Sequence, residues 1–294
     1  MAAAAPTADV TAHTEIARAK INLALHVLGR RTDGYHDLDS IVAFADVSDR
    51  LTFEPSGAFA ISASGPFAHQ LPRPADNIVH RAWLAVNAFA KGAAPVRVTI
   101  EKNLPVSSGL GGGSANAAAT LRALVRLNGL RPSADELSDI ALSLGADVPV
   151  CLESRATRMR GIGDRLDPLP DFAPLYAVLV NPGVAVPTPE IFRAMGLERG
   201  ASHGTPIASM DIETWRNDMT EAAVALAPAI GAVLAELQRQ PGLITARMSG
   251  SGATCFGIFP TAEQVQRVAT GLRSRQPRWW IVDTILGNVT SRER

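Results

Sequence analysis

Gly109-Leu110-Gly111-Gly112-Gly113-Ser114-Ala115 decides the reading of this chain. Closely spaced glycines let backbone N–H groups converge on one point without a side-chain clash, which makes an anion-binding nest. An Ala- and Leu-rich helical pattern follows, with Ser114 placed to cap it and Gly129 to end it. Such a helix directs its first N–H groups and the positive end of its dipole at the same point. Ser114 adds a hydroxyl for a phosphate oxygen or a magnesium ion. Together these features suit a nucleotide polyphosphate. Two familiar glycine loops do not fit. A Walker A loop carries Lys-Ser/Thr after its last glycine, whereas Ser114-Ala115 follows here. A Rossmann fingerprint needs Gly or Ala where Ser114 stands and an early βαβ unit, and this loop lies past residue 100.

Outward from the loop, Val96, Val98 and Ile100 mark a strand over 96–101. Residues 16–28 alternate with period two. Ala17, Ala19, Ile21, Leu23, Leu25 and Val27 line one face, and Arg18, Lys20, Asn22 and His26 the other, which predicts a half-buried strand with a polar face. On the C-terminal side, Ser133 and Glu136 form a capping box for a helix that stops at Gly145. Strands are expected at 175–180, 255–259 and 279–282, and helices at 220–237 and 262–274. The breaker-rich stretch 153–172, with Gly161, Gly163, Pro168 and Pro170, is the expected domain boundary. That divides the chain into a tail at 1–14, an N-terminal domain at 15–163 and a C-terminal domain at 164–294.

Composition narrows the class. The chain has 294 residues, a formal net charge of zero, 47% hydrophobic and 19% charged residues, which is globular composition with no basic stripe for nucleic acid. Cys151 and Cys255 each sit in an apolar run with no metal-ligand spacing, so buried thiols are expected. No signal peptide and no uncharged stretch of membrane-spanning length is visible, so a cytoplasmic protein is expected. Only Lys20, Lys91 and Lys102 are lysines among 28 basic residues. Where a bias toward arginine runs this strongly, each position that keeps lysine merits a functional reading.

Phosphoryl transfer often needs a carboxylate to take the acceptor's proton. Asp147, in Gly145-Ala146-Asp147-Val148-Pro149, follows a helix end and precedes a residue that Pro149 biases toward extended backbone. That could aim it into a cleft, although an Asx turn fits the same residues. Lys20 stands mid-strand, where lysine is disfavoured unless its face is wet or functional. His26, six residues along the same face and about 20 Å away, is expected to be solvated.

These segments, taken with Gly34-Tyr35-His36, Val186-Pro187-Thr188-Pro189-Glu190-Ile191-Phe192 and Ser249-Gly250-Ser251-Gly252-Ala253, resemble the GHMP kinase superfamily from about residue 15 to 260. Within it the resemblance is to the branch that phosphorylates a cytidine-diphosphate-linked methylerythritol on its 2-hydroxyl for non-mevalonate isoprenoid synthesis. The resemblance implies an α+β fold of two domains, the first with a left-handed βαβ crossover and the second ferredoxin-like, with the active site between them. It implies ATP as co-substrate and magnesium, for which Ser114 is the one candidate ligand. Asp147 would be the base, with Lys20 as the cation beside it. Pro105, Val106, Ser107, Ser108, Gly109, Leu110, Gly111, Gly112, Gly113, Ser114 and Ala115 would cradle the phosphates, and Asn77, Ile78 and Lys102 would surround the adenine nucleotide. Tyr35 and Phe192 would sandwich the cytosine, while His36, Asn22 and Thr188 contact the substrate. The implied partner is this small molecule, with no nucleic acid and no membrane, in a monomer or homodimer.

Overall fold

The computed structural model describes residues 12–288. In chain order it builds strands β1 (His13–Arg30), β2 (His36–Pro55) and β3 (Ala60–Ser64), helix α1 (Ile78–Ala90), strand β4 (Val96–Glu101) and helices α2 (Gly112–Leu127), α3 (Ala134–Leu144) and α4 (Val148–Glu153). Strands β5 (Thr157–Gly161), β6 (Arg165–Pro168) and β7 (Leu175–Asn181) follow, then helices α5 (Thr188–Ala194), α6 (Thr220–Leu226) and α7 (Pro228–Gln238). Strands β8 (Thr245–Met248) and β9 (Cys255–Phe259), helix α8 (Ala262–Arg275) and strand β10 (Trp280–Gly287) complete the fold.

The architecture is α+β. One sheet runs β3-β4-β2-β10-β7-β9-β8, with β1 paired to β2 and the β5–β6 hairpin also joined to β2. In the N-terminal part β3 and β4 pair in parallel, with α1 as their crossover. The C-terminal part has the chain order β7-α-β8-β9-α8-β10 and the sheet order β10-β7-β9-β8, which is the split βαβ arrangement of a ferredoxin-like unit. Two registered pairs, Leu286↔Ala45 and Gly287↔Phe44, carry the sheet from one part to the other.

Three apolar clusters follow from this layering. One packs β1, β2 and β4 under α1 to α4, around Phe44, Phe53, Ile100 and Leu121. A second packs β7 and β9 against α5 to α8, around Val178, Ile230, Phe259 and Leu272. A third lies between the two parts, where Leu23 and Ile41 meet Leu179 and Phe256, and it takes in Leu104 and Leu110 from the approach to the glycine loop.

Several expectations change. Strand β1 is not half-buried. Arg18, Lys20, Asn22 and His26 are 8%, 3%, 1% and 3% exposed. The cause is cover by segments distant in the chain: the glycine loop lies against Lys20, Ser249 meets Asn22, and a strap over residues 200–218 lies along the edge of β1 not paired to β2 from Leu25 to Arg30. Arg30 N–H donates to Ala201 O at 2.9 Å, Gly204 N–H to Val27 O at 2.9 Å and Leu25 N–H to Arg216 O at 2.8 Å. His26 is therefore not solvated, and its Nδ1 lies 2.9 Å from Thr205 O. The tail expected at 1–14 lies outside the described residues up to residue 11, but His13 and Thr14 already belong to β1, opposite Phe53 and Thr52. The helix expected at 220–237 is two helices, because Pro228 has no N–H for the ladder and opens α7 as its first residue. Ser114 does not cap α2. Gly111, in left-handed backbone, is the N-cap and Ser114 lies inside the first turn. Val148 is not extended before Pro149, since both stand in the first turn of α4, where a missing N–H costs nothing. The breaker-rich stretch 153–172, where the domain boundary is expected, holds the β5–β6 hairpin. Gly161 and Gly163, both at positive φ, turn the β5–β6 hairpin.

Candidate active site

The glycine loop sits between the two parts because both hold it. Lys20 N–H donates to Leu110 O at 2.8 Å, which ties the loop to the free edge of β1. From the other side, Ser249 Oγ donates to Gly109 O at 2.9 Å and accepts the N–H of Asn22 at 3.1 Å. Thr254 N–H donates to Ser108 O at 3.0 Å. Gly109 has φ +76°, and a Cβ there would run into the backbone carbonyl of Ser249. Gly111 has φ +61°, and its Cβ would stand 3.1 Å from Cβ of Lys20. Glycine is required at Gly109 by conformation and by space, and is favoured at Gly111 by its left-handed backbone and the close approach of Lys20.

The loop opens onto a cavity of about 590 Å³. Its lining includes Lys20, Asn22, Asn77, Ile78, Lys102, Pro105, Val106, Ser107, Ser108, Gly109, Gly111, Gly112, Gly113 and Ser114, together with Asn116, Asp147, Thr188, Phe192 and Ser251. Leu110 and Ala115 turn inward, at 0% and 2% exposed, and serve the core beneath the loop. Asn77 caps α1 by accepting the N–H of Val79 at 3.0 Å, so a second helix N-terminus borders the cavity.

At the centre Lys20 Nζ lies 2.7 Å from Asp147 Oδ1, with side chains 4% and 35% exposed. Lys20 comes from the interior of β1 and Asp147 from the N-cap of α4. The ammonium is sealed and the carboxylate faces the open space, which suits a base that must reach an incoming hydroxyl. Just behind, Cys151 is fully buried, and burial with the neighbouring charge of Asp147 pushes its thiol up to about 12. Cys255, also buried, is displaced upward too. Neither thiol has nucleophilic character at neutral pH.

Two amide oxygens on the cavity wall, Asn22 Oδ1 and Asn116 Oδ1, are buried and have no hydrogen-bond partner. Leaving a buried acceptor unpaired costs about 1–3 kcal/mol, which a ligand donor recovers. Asn22 Nδ2 is already committed to Ser40 Oγ at 2.8 Å, so this network sets which way the amide faces.

At the far end Phe192 stacks on His36, with ring centroids 4.0 Å apart and planes 13° apart. Burial and the nearby Arg30 guanidinium lower the His36 pKa, which favours a neutral ring. Tyr35 stands 61% exposed on the adjoining turn and is not in the cavity lining. Thr188 Oγ1 meets Ser251 Oγ at 2.7 Å, joining the α5 terminus to the 249–254 turn.

Residue-by-residue reading missed Asn116, Ser249, Ser251 and Asn217. Asn217 Nδ2 bonds both Met248 O and Gly250 O at 2.8 Å and so shapes that turn. The glycine-rich run 249–253 was the available signal, but nothing local says that it packs against residues 108–109. Among the described residues no group of three or more His, Cys, Asp or Glu side chains could hold a metal ion, and no helix is long and apolar enough to cross a membrane.

The family model for the GHMP kinases N terminal domain matches residues 77–155, and that for the GHMP kinases C terminal matches 205–278. A 4-diphosphocytidyl-2-C-methyl-D-erythritol kinase of Cereibacter sphaeroides is 48% identical over 279 residues, covering 90% of this chain and 96% of its own. One from Dinoroseobacter shibae is 46% identical, covering 92% and 93%. A crystal structure of 4-(cytidine 5'-diphospho)-2C-methyl-D-erythritol kinase matches with TM-score 0.77 and 33% identity over 94% of this chain and 99% of that one. A homoserine kinase from Cytophaga hutchinsonii shares the fold, with TM-score 0.69 and 17% identity over 96% of each chain. Both halves of the family pattern are matched in chain order, and they meet at the cavity between glycine loop and 249–254 turn, so the chain belongs to the GHMP kinase family.

Proposed function

We propose that this cavity transfers the γ-phosphoryl group of ATP to the 2-hydroxyl of 4-diphosphocytidyl-2-C-methyl-D-erythritol, in non-mevalonate isoprenoid precursor synthesis in the cytoplasm. The activity named for the relatives supports the substrate. The observation that carries the chemistry is the 2.7 Å pair of Lys20 and Asp147 facing the glycine loop.

Asp147 takes the proton of the 2-hydroxyl as its oxygen bonds to the γ-phosphorus, and the bond from that phosphorus to the β-bridging oxygen breaks to release ADP. Lys20 offsets the negative charge that develops on the attacking oxygen and holds Asp147 in place. The loop N–H groups and the start of α2 receive the phosphates. Among the described residues no cluster of carboxylates could hold magnesium, so the ion would be one carried by the triphosphate, with the Ser114 hydroxyl placed to contact it. Such an ion keeps mostly water and phosphate ligands and neutralises phosphate charge. The orphan oxygens of Asn22 and Asn116 accept from substrate hydroxyls. Phe192 offers the cytosine a flat wall with His36 stacked on it, and Tyr35, exposed on the adjoining turn, would meet the base from the solvent side. Stacking of this kind contributes about 1–3 kcal/mol per base.

The test is ADP release from ATP with the cytidine-diphospho acceptor, homoserine and mevalonate compared side by side. Turnover with the cytidine compound at the highest kcat/KM is expected. A higher value with either of the others overturns the assignment.

A further inference from the structure

The element that carries Asp147 is small. Helix α4 has six residues, and Asp147 is its N-cap. A helix this short has little stability of its own, so its seat comes from its surroundings. The Asp147 side chain makes no capping bond, which leaves it free to face Lys20. The place of that carboxylate in the cavity therefore follows the place of α4. Val148, Val150 and Cys151 bury an apolar face in the N-terminal cluster. Apolar burial is non-directional and does not by itself fix how far a short helix slides or turns.

The directional contacts come from Arg122, about three turns into α2. Its Nη1 donates to Cys151 O at 3.0 Å and to Leu152 O at 3.2 Å. These are carbonyls of the last turn of α4, which have no partner within the helix, and a cation there also suits the dipole. Its Nη2 donates to Ile16 O at 2.9 Å, and its Nε to Glu15 Oε2 at 2.8 Å, both on β1. Ser154 Oγ also donates to Cys151 O, at 3.0 Å, but that bond lies within one segment and ties α4 to nothing else. Cys151 is four residues past Asp147, so the grip falls about one turn below the carboxylate. Ile16 is four residues before Lys20 on the same strand. The other end of α2 is the Gly112 turn of the phosphate loop. One guanidinium thus bonds to the helix of Asp147 and the strand of Lys20 from the helix that opens at the glycine nest. Only a planar fork with five donors spans two backbones and a carboxylate at once.

We propose that Arg122 is a positioning residue for phosphoryl transfer: its fork sets where the Asp147 carboxylate stands relative to Lys20 and the phosphate loop. The inference rests on Asp147 as the base and goes beyond that reading by naming what holds the base in register. Arg122 touches neither substrate nor nucleotide, so its effect belongs in the chemical step and must pass through Asp147.

The test is a double-mutant cycle in the full chain: Arg122→Met, Asp147→Asn and the two together, with kcat and both KM values measured. A misplacement of about 1 Å costs on the order of 10²-fold, so Arg122→Met should lower kcat about 10- to 100-fold. Both KM values should stay within about threefold. In the Asp147→Asn background the same change should alter kcat less than about twofold, because there is no base left to misplace. Arg122→Lys keeps the charge without the fork and should recover only part of kcat. If Arg122→Met does not fold, Arg122→Lys carries the same cycle. An equal fold-loss of kcat in both backgrounds would show that Arg122 serves the fold alone, and overturns the proposal. So does an unchanged kcat, or a loss confined to KM. An Asp147→Asn chain with wild-type kcat fails the parent reading, and the single variant reports that separately.

Discussion

At the scale of the residue, Asp147 and Lys20 show how little a motif says until its partner is known. Asp147 alone fits an Asx turn, and Lys20 alone is an awkward lysine in a strand. Their separation in sequence is 127 positions, yet Nζ and Oδ1 are 2.7 Å apart. The exposure difference between them, 4% against 35%, fits the roles proposed above, with a sealed cation as support and an open carboxylate as base. Replacing Asp147 with Asn keeps shape and removes the base. Rapid-quench and steady-state assays should find kcat lower by about 10²- to 10⁴-fold with the ATP KM within a few-fold, because a base acts only in the chemical step. An unchanged kcat removes Asp147 from this role.

At the scale of the element, β1 organises the site. One edge pairs with β2, and the other hands out its N–H groups in order: Lys20 to Leu110 O of the glycine loop, Asn22 to Ser249 Oγ, Leu25 to Arg216 O and Val27 to Asp218 Oδ2. An edge strand that could template aggregation is instead fully used. The phosphate loop therefore rests on a strand rather than standing free, which limits what it tolerates. Gly109→Ala must place a side chain at φ +76° into the Ser249 carbonyl. It is expected to cost about 2–4 kcal/mol and to raise the ATP KM at least tenfold. Denaturant midpoints and ATP titration check this, with Gly57→Ala as the control, since a Cβ at Gly57 meets nothing within 4 Å. A Gly109→Ala chain with wild-type stability and KM contradicts the packing account.

At the scale of the whole molecule, the strap over 200–218 joins the C-terminal part to the N-terminal strands, and one ion pair pins it. Arg158 from β5 holds Asp39 from β2 with two bonds of 2.9 and 2.7 Å. Asp39 Oδ2 also accepts Ile207 N–H at 2.8 Å, while Arg158 Nη2 donates to Ile207 O at 2.9 Å. Burial by itself would raise the Asp39 pKa. The bonds from Arg158 and Ile207, with the Arg158 charge, outweigh it and hold the carboxyl below its ordinary value. A carboxylate depressed in the folded state contributes stability that is present above its unfolded pKa of about 4 and is lost as pH falls through the folded value. Asp39→Asn should therefore lose about 2–4 kcal/mol at pH 7, a figure below that of a sealed pair because Arg158 is 29% exposed. The gap between variant and wild type should close as unfolding is followed from pH 5 down to about pH 2. A pH-independent gap contradicts the linkage.

The division between local and long-range information has a physical logic. Glycine spacing and helix-cap chemistry are local, so the nest at 109–114, the capping box at Ser133 and Glu136 and the strand at 96–101 could be read directly. Period-two alternation correctly made β1 a strand, but burial of its polar face depends on distant segments, the glycine loop at Lys20, Ser249 at Asn22 and the strap at His26, so His26 and Asn22 looked solvated or merely polar. Breakers mark where regular structure is interrupted without specifying the structure on either side. Gly161 and Gly163 made a hairpin turn, and Pro228 divided one helix into two. The sequence by itself determined the family, and it singled out the glycine loop and the two residues proposed as the catalytic pair. The tertiary structure alone decided which groups complete the site: Ser249 gripping Gly109, Asn116 left with a free oxygen, Arg122 joining α4 to β1. Each is a contact between segments distant in the chain, and such contacts arise only when the two parts close over their shared apolar layer.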